Sequence, residues 1–124
     1  MRHHWRVAFR RRDRTGGEQE SLFDATKVDL VTLSPDHSLA QLYIVNESAW
    51  TGSDAQISSL QEKIHNYVSF AVDGQMASTY PETRDLRWTV VIDDQAGAPD
   101  SRTAQVIAQV ADSVRLHGGD LVVR

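Results

Sequence analysis

The sequence predicts an α+β domain: a two-layer sandwich whose four-stranded mixed sheet, with elements ordered ββαβαβ along the chain, carries two helices on one face. Three observations predict it. Short segments alternate apolar and polar residues with the period of two that a strand imposes, and two longer segments repeat apolar residues at spacings of three and four. Gly, Pro, Asp and Ser fall between these segments, where turns need them.

The first two strands are read at residues 27–34 (KVDLVTLS) and 39–46 (LAQLYIVN), both rich in β-branched and apolar side chains. Ser34-Pro35-Asp36-His37 lies between them. Ser at the first position and Pro at the second suit a type I turn, so the pair is expected to be an antiparallel hairpin.

The first helix is expected over about residues 54–73, with Ile57, Leu60, Ile64, Tyr67, Val68 and Ala71 along one face. Ser53-Asp54-Ala55-Gln56 fits a capping box: the hydroxyl accepts from an orphan N–H while the Gln reaches back. Asp54 suits the positive end of the helix dipole, and Asp73-Gly74 supplies a C-terminal stop.

A polar connection through Tyr80-Pro81-Glu82 leads to a third strand, where Leu86, Trp88, Val90 and Ile92 alternate with Arg87, Thr89, Val91 and Asp93. After a loop at residues 93–100, the second helix is expected over about residues 101–117. Val106, Ile107, Val110, Ala111 and Val114 form its apolar face, Asp100 its N-cap and Gly118-Gly119 its stop. Leu121-Val122-Val123 is the last strand. The final β-α-β unit makes its two strands parallel, and the polar residues along the strands suggest that the second sheet face is open.

Length and composition set the bounds. A chain of 124 residues, 40% hydrophobic and 24% charged, has room for one core. With no cysteine, disulfides and thiolate chemistry are excluded. No run approaches the roughly 18 apolar residues of a membrane span, and no apolar segment follows the early arginines as an export signal would require. A cytoplasmic location is expected.

The net charge of −4 conceals an asymmetry: residues 1–14 hold six Arg and one Asp, whereas the remaining 110 hold seven Lys or Arg against sixteen Asp or Glu. Residues 1–26 are accordingly read as a basic, flexible N-terminal arm and residues 27–124 as a single α/β domain. Within the arm, Trp5, Val7 and Phe9 alternate as an edge strand would.

The stretch Trp50-Thr51-Gly52-Ser53-Asp54, then Leu60-Gln61-Glu62-Lys63-Ile64, then YVSFAVDGQ at residues 67–75 and Tyr80-Pro81-Glu82 resembles a small bacterial domain family of unknown function. The resemblance covers residues 27–116. It implies a bacterial cytosolic domain and assigns no activity, cofactor or catalytic residue.

Candidate chemistry is sparse. Glu62-x-x-His65 has the spacing used in di-iron bundles, which need a second copy and two more carboxylates; here the motif occurs once and reads as an exposed helix turn. His3, His4, His37 and His117 fall in the arm, a turn and a helix end. Asp93-Asp94 ends a strand expected to be parallel to its neighbour, a place where α/β proteins bind ligands, and paired carboxylates could hold magnesium. The chain has neither a Gly-x-Ser-x-Gly elbow nor a Ser-x-x-Lys pair.

The expectation is therefore a non-enzymatic protein-binding module or adaptor, with no cofactor and no assigned catalytic or metal residue. The alternative is a small hydrolase or metal-dependent enzyme using Asp93 and Asp94. Trp50 and the amides Gln61, Asn66 and Gln75 are the candidate partner surface, because core packing does not require these amides. An acidic body favours a protein partner with a basic or neutral surface. Nucleic acid is expected only through the arginine-rich arm, where dispersed arginines could neutralise phosphates. No membrane partner is expected.

Overall fold

The computed structural model describes residues 6–9 and 30–124. Its elements are β1 (Arg6–Phe9), β2 (Leu30–Leu33), β3 (Leu39–Asn46), α1 (Asp54–Val72), α2 (Gln75–Thr79), a 3-10 turn (Pro81–Thr83), β4 (Arg87–Asp94), α3 (Ser101–Leu116) and β5 (Asp120–Val123).

The sheet runs β1-β2-β3-β4-β5, in chain order. β2 and β3 form the antiparallel hairpin, Leu33 opposite Ala40, and the turn closes by His37 N–H donating to Ser34 O at 2.8 Å. β3 pairs parallel with β4 over its whole length, Leu39 opposite Arg87 through Asn46 opposite Asp94, and β4 pairs parallel with β5. Each parallel step requires a crossover, and α1 and α3 supply them. Two crossovers of one hand that step in one direction put both helices on the same face, where α1 and α3 pack against each other.

β1 adds a fifth strand to the four expected in the body. Val7 lies opposite Thr32 and Phe9 opposite Val31, antiparallel, with a bulge between Val7 and Phe9. The alternation at Trp5, Val7 and Phe9 thus marks an edge strand at Arg6–Phe9. Its hydrogen bonds come from the edge of β2, a tertiary partner that a four-residue pattern flanked by charge does not reveal. The rest of the basic arm, His3 and His4 included, and the strand residues proposed at 27–29 lie outside the described residues.

The core forms between the helices and alternate strand positions. Val31, Leu33, Ala40, Leu42, Ile44, Trp88, Val90, Ile92 and Leu121 face Leu60, Ile64, Tyr67 and Phe70 of α1 and Ile107, Ala111 and Val114 of α3. Each large apolar side chain so buried contributes about 1.5–3 kcal/mol against exposure. Tyr67 is wholly buried and donates its hydroxyl to Tyr43 O at 2.6 Å, tying α1 to β3.

The stretch read as a polar connection contains α2, whose Met76 is buried and carries the chain back onto the core. Phe70 and Tyr80 meet edge to face across this turn, with ring centroids 6.2 Å apart. Five residues are too few to display a helical period, so α2 left no signature in the pattern.

The second sheet face departs from the open surface expected of it. Thr32, Gln41 and Val91, which alternate with the core positions, are only 3%, 2% and 0% exposed. Tyr43 Oη donates to Gln41 Oε1 at 2.7 Å on this face, while the buried Thr32 Oγ1 has no hydrogen-bond partner among the described residues.

Candidate functional site

Two places concentrate the candidate residues, one at each end of α1. The first is the C-terminal edge of the parallel strands, where β3 hands over to α1 and β4 to α3. Gln56, one turn into α1 and 2% exposed, organises the β3–α1 loop. Its Oε1 accepts from Thr51 N at 2.8 Å and Gly52 N at 3.3 Å, and its Nε2 donates to Ala49 O at 3.0 Å. Ser53 Oγ accepts from Gln56 N at 3.1 Å, as the capping box requires. The reciprocal arm of the box reaches further than expected, binding residues 51 and 52 ahead of the cap.

Gly52 has φ +70°, and a Cβ there would stand 2.7 Å from an Asp100 carboxylate oxygen, so only glycine fits between the two helix starts. Asp100 in turn caps α3, its Oδ2 accepting from Thr103 N at 3.0 Å and its Oδ1 from the Thr103 hydroxyl at 2.7 Å. These bonds hold the Asp100 carboxyl below its ordinary pKa, the Thr103 hydroxyl contributing most. Arg102 bridges the loops, donating to Gly52 O at 2.8 Å and pairing with Asp54 at 2.5 Å.

Trp50 and Asp94, singled out in the sequence for different reasons, meet here. The Trp50 indole N–H is shared between Asp94 Oδ2 at 3.1 Å and Gly97 O at 3.0 Å, and its ring packs against the core. Asp94 Oδ1 accepts from Ala96 N at 3.1 Å. Both carboxylate oxygens of Asp94 are therefore engaged in holding the β4–α3 loop. Asp93, its neighbour in a strand, points to the opposite face, where Gln95 Nε2 reaches it at 3.3 Å.

The two carboxylates do not converge. Moreover, ligand crevices in open α/β sheets form where successive crossovers diverge to opposite faces, and here both lie on one face. Among the described residues, no group of three His, Asp or Glu side chains is placed to hold a metal ion.

The second place is a groove of about 290 Å³ between the later turns of α1 and α3. Ile64, Val68, Val110 and Val114 line its apolar floor. Gln61, His65, Ser69, Asp73, Ser113 and His117 line its rim, and Val72 lies in it 43% exposed. His117, the C-cap of α3, is oriented by a 2.9 Å contact between Nδ1 and Ser113 O.

Of the four residues proposed as a partner surface, Gln61 alone lines this groove. Asn66 is half-buried on another side of α1, Gln75 is exposed at the start of α2, and Trp50 belongs to the loop clasp described above. The groove brings together two histidines, 65 and 117, that sequence reading treated separately. Each sits on a helix face whose polar residues looked like ordinary solvent contacts, and only the packing of α1 on α3 makes them neighbours.

Charge is distributed unevenly around the groove. Lys63, the sole Lys or Arg of α1, is 1% exposed, its ammonium 5.5 Å from the Tyr67 ring centroid. Arg102 pairs with Asp54, and Arg115 with Asp112 and Asp120 at 3.1 and 3.2 Å. Glu62 and Asp73 have no ion-pair partner among the described residues. Asp73 also caps the C-terminus of α1, the negative end of its dipole, where the last turn carries no basic residue.

Among the described residues no helix is long and apolar enough to cross a membrane. No curated protein and no solved structure matches the chain. Residues 20–123 match a family of unknown function, DUF6572, a span that extends beyond the 27–116 resemblance at both ends and takes in every element from β2 to β5; the chain belongs to this family.

Proposed function

We propose that this domain is a non-enzymatic protein-binding module of the bacterial cytoplasm, and that the helical layer is its working surface. The observation that carries the reading is the α1–α3 groove: an apolar floor with Val72 43% exposed, surrounded by amide, imidazole and hydroxyl groups. Apolar centres with polar rims are the usual anatomy of protein interfaces. The buried centre of the second sheet face leaves that face less suited to contact. Engagement of both Asp94 oxygens in loop structure, with Asp93 facing away, favours binding over hydrolysis. The lack of cysteine suits a reducing compartment.

The test is affinity capture from the source cell with the full chain, followed by reconstitution of the captured pair from purified components. The expected result is a defined protein partner that binds in the presence of nuclease. Retention of RNA or DNA alone, lost steeply as salt rises, would overturn the reading and move function to the arginine-rich arm.

A further inference from the structure

We infer that the α1–α3 groove accepts a basic amphipathic helix of the partner, with one apolar side chain seated over Val68 and Val72 and a Lys or Arg beside Asp73. This deepens the binding reading and rests on it.

The shape argues for a helix. α1 and α3 lie side by side, each leaving a crossover from the same end of the sheet, and the groove follows α1 from Gln61 to Asp73. That length is about three and a half turns, or roughly 18 Å. A third helix can lay its ridge into such a furrow, presenting apolar residues at spacings of three and four.

Charge complementarity fixes the sign of the partner. The Lys and Arg residues of α1 and α3 are already committed: Lys63 is buried, Arg102 holds Asp54, and Arg115 holds Asp112 and Asp120. Among the described residues, Asp73 is the carboxylate that lines the groove, and it has no ion-pair partner there. Asp73 stands where the α1 dipole is negative, a position at which a carboxylate opposes the helix and a cation would favour it. A basic partner relieves this local conflict when it docks. An acidic partner would add to it.

The experiment uses the full chain and three synthetic peptides of roughly 15 residues, about four turns. One is amphipathic with Leu on one face and Lys elsewhere, the second replaces every Lys by Glu, and the third scrambles the Leu/Lys sequence. Affinity is measured by calorimetry and location by amide shifts in heteronuclear NMR.

The first peptide should bind and move the amides of His65, Ser69, Val72 and Asp73, whereas the second and third should not. Asp73→Lys, which suits the end of α1 and so preserves the fold, should weaken binding by about fivefold to tenfold. Val72→Asn, at an exposed position, should weaken it without altering the rest of the spectrum.

Failure of the amphipathic basic peptide to bind, shifts confined to another surface, or an unchanged affinity in Asp73→Lys would each overturn the inference. If these occur while the reconstituted partner still binds, the groove assignment falls and the binding module stands. If the partner is also absent, both fall.

Discussion

Gln56→Ala isolates the side chain that organises the sheet edge. Gln56 is 2% exposed, and alanine removes two short hydrogen bonds, 2.8 Å from Thr51 N and 3.0 Å to Ala49 O, together with the longer 3.3 Å contact from Gly52 N. Each short bond contributes about 1 kcal/mol net. Ala49 and Thr51 are exposed, so water replaces part of what their backbone groups lose, and alanine's better helix propensity offsets a few tenths of a kcal/mol.

The expected loss is about 2 kcal/mol. At about 2.1 cal/mol/K per residue, a chain of 124 residues has an unfolding entropy near 0.26 kcal/mol/K, so Tm should fall by about 8 °C. Urea denaturation with an unchanged m-value measures the effect. Gln56→Glu keeps the acceptor and loses the donor to Ala49 O, so it should fall between wild type and alanine. Gln105→Ala, at an exposed site on α3, is the control and should stay within about 0.5 kcal/mol. If Gln56→Ala matches that control, the side chain does not hold the loop and the account of this edge is wrong.

Ser53→Ala should cost about 1 kcal/mol through loss of the acceptor for Gln56 N, while Ser58→Ala on the exposed side of α1 should cost little; equal small losses in denaturation would refute the cap. Thr32→Val replaces a buried hydroxyl that has no partner among the described residues by a methyl of the same shape, and should raise stability by about 1 kcal/mol; a loss of that size would show that the hydroxyl is used. Gly119→Ala places a Cβ 2.4 Å from the Trp88 ring, so the buried ring must shift, lowering Tm and changing near-UV circular dichroism; an unperturbed Trp88 signal would contradict the packing.

Asp36 accepts from the hydroxyls of Ser38 and Ser34, each at 2.7 Å, and from Ser38 N at 3.1 Å. These bonds lower its pKa from 3.8 to about 2. Because the folded-state value is depressed, its contribution to stability is present above the ordinary carboxylate range and disappears as pH falls through about 2. Carboxyl NMR titration should find this midpoint and see it rise in Ser38→Ala; a wild-type midpoint near 3.8 would refute the turn geometry.

The sequence by itself determined the local elements and their stops. Ser53 capping α1, Asp100 capping α3, the Ser34-Pro35 turn and the alternation from Trp88 to Ile92 are short-range effects: hydrogen bonds and periodicities completed within a few residues, and so written in neighbouring letters. The final β-α-β unit followed because crossovers have a preferred hand.

What lay between distant residues was decided by tertiary structure alone. β1 exists as a strand because the edge of β2 receives it, and α2 because Met76 finds the core. Trp50 and Asp94 stand 44 positions apart in the chain, yet share one hydrogen bond. The groove has the same origin, since Gln61 and His65 on α1 and His117 at the end of α3 each look like solvent-facing residues until the two crossovers set their helices side by side. Periodicity tells which face of a helix is apolar; it carries no information about which neighbour that helix will meet, because the meeting depends on sheet order, and sheet order is settled by contacts made across the whole chain.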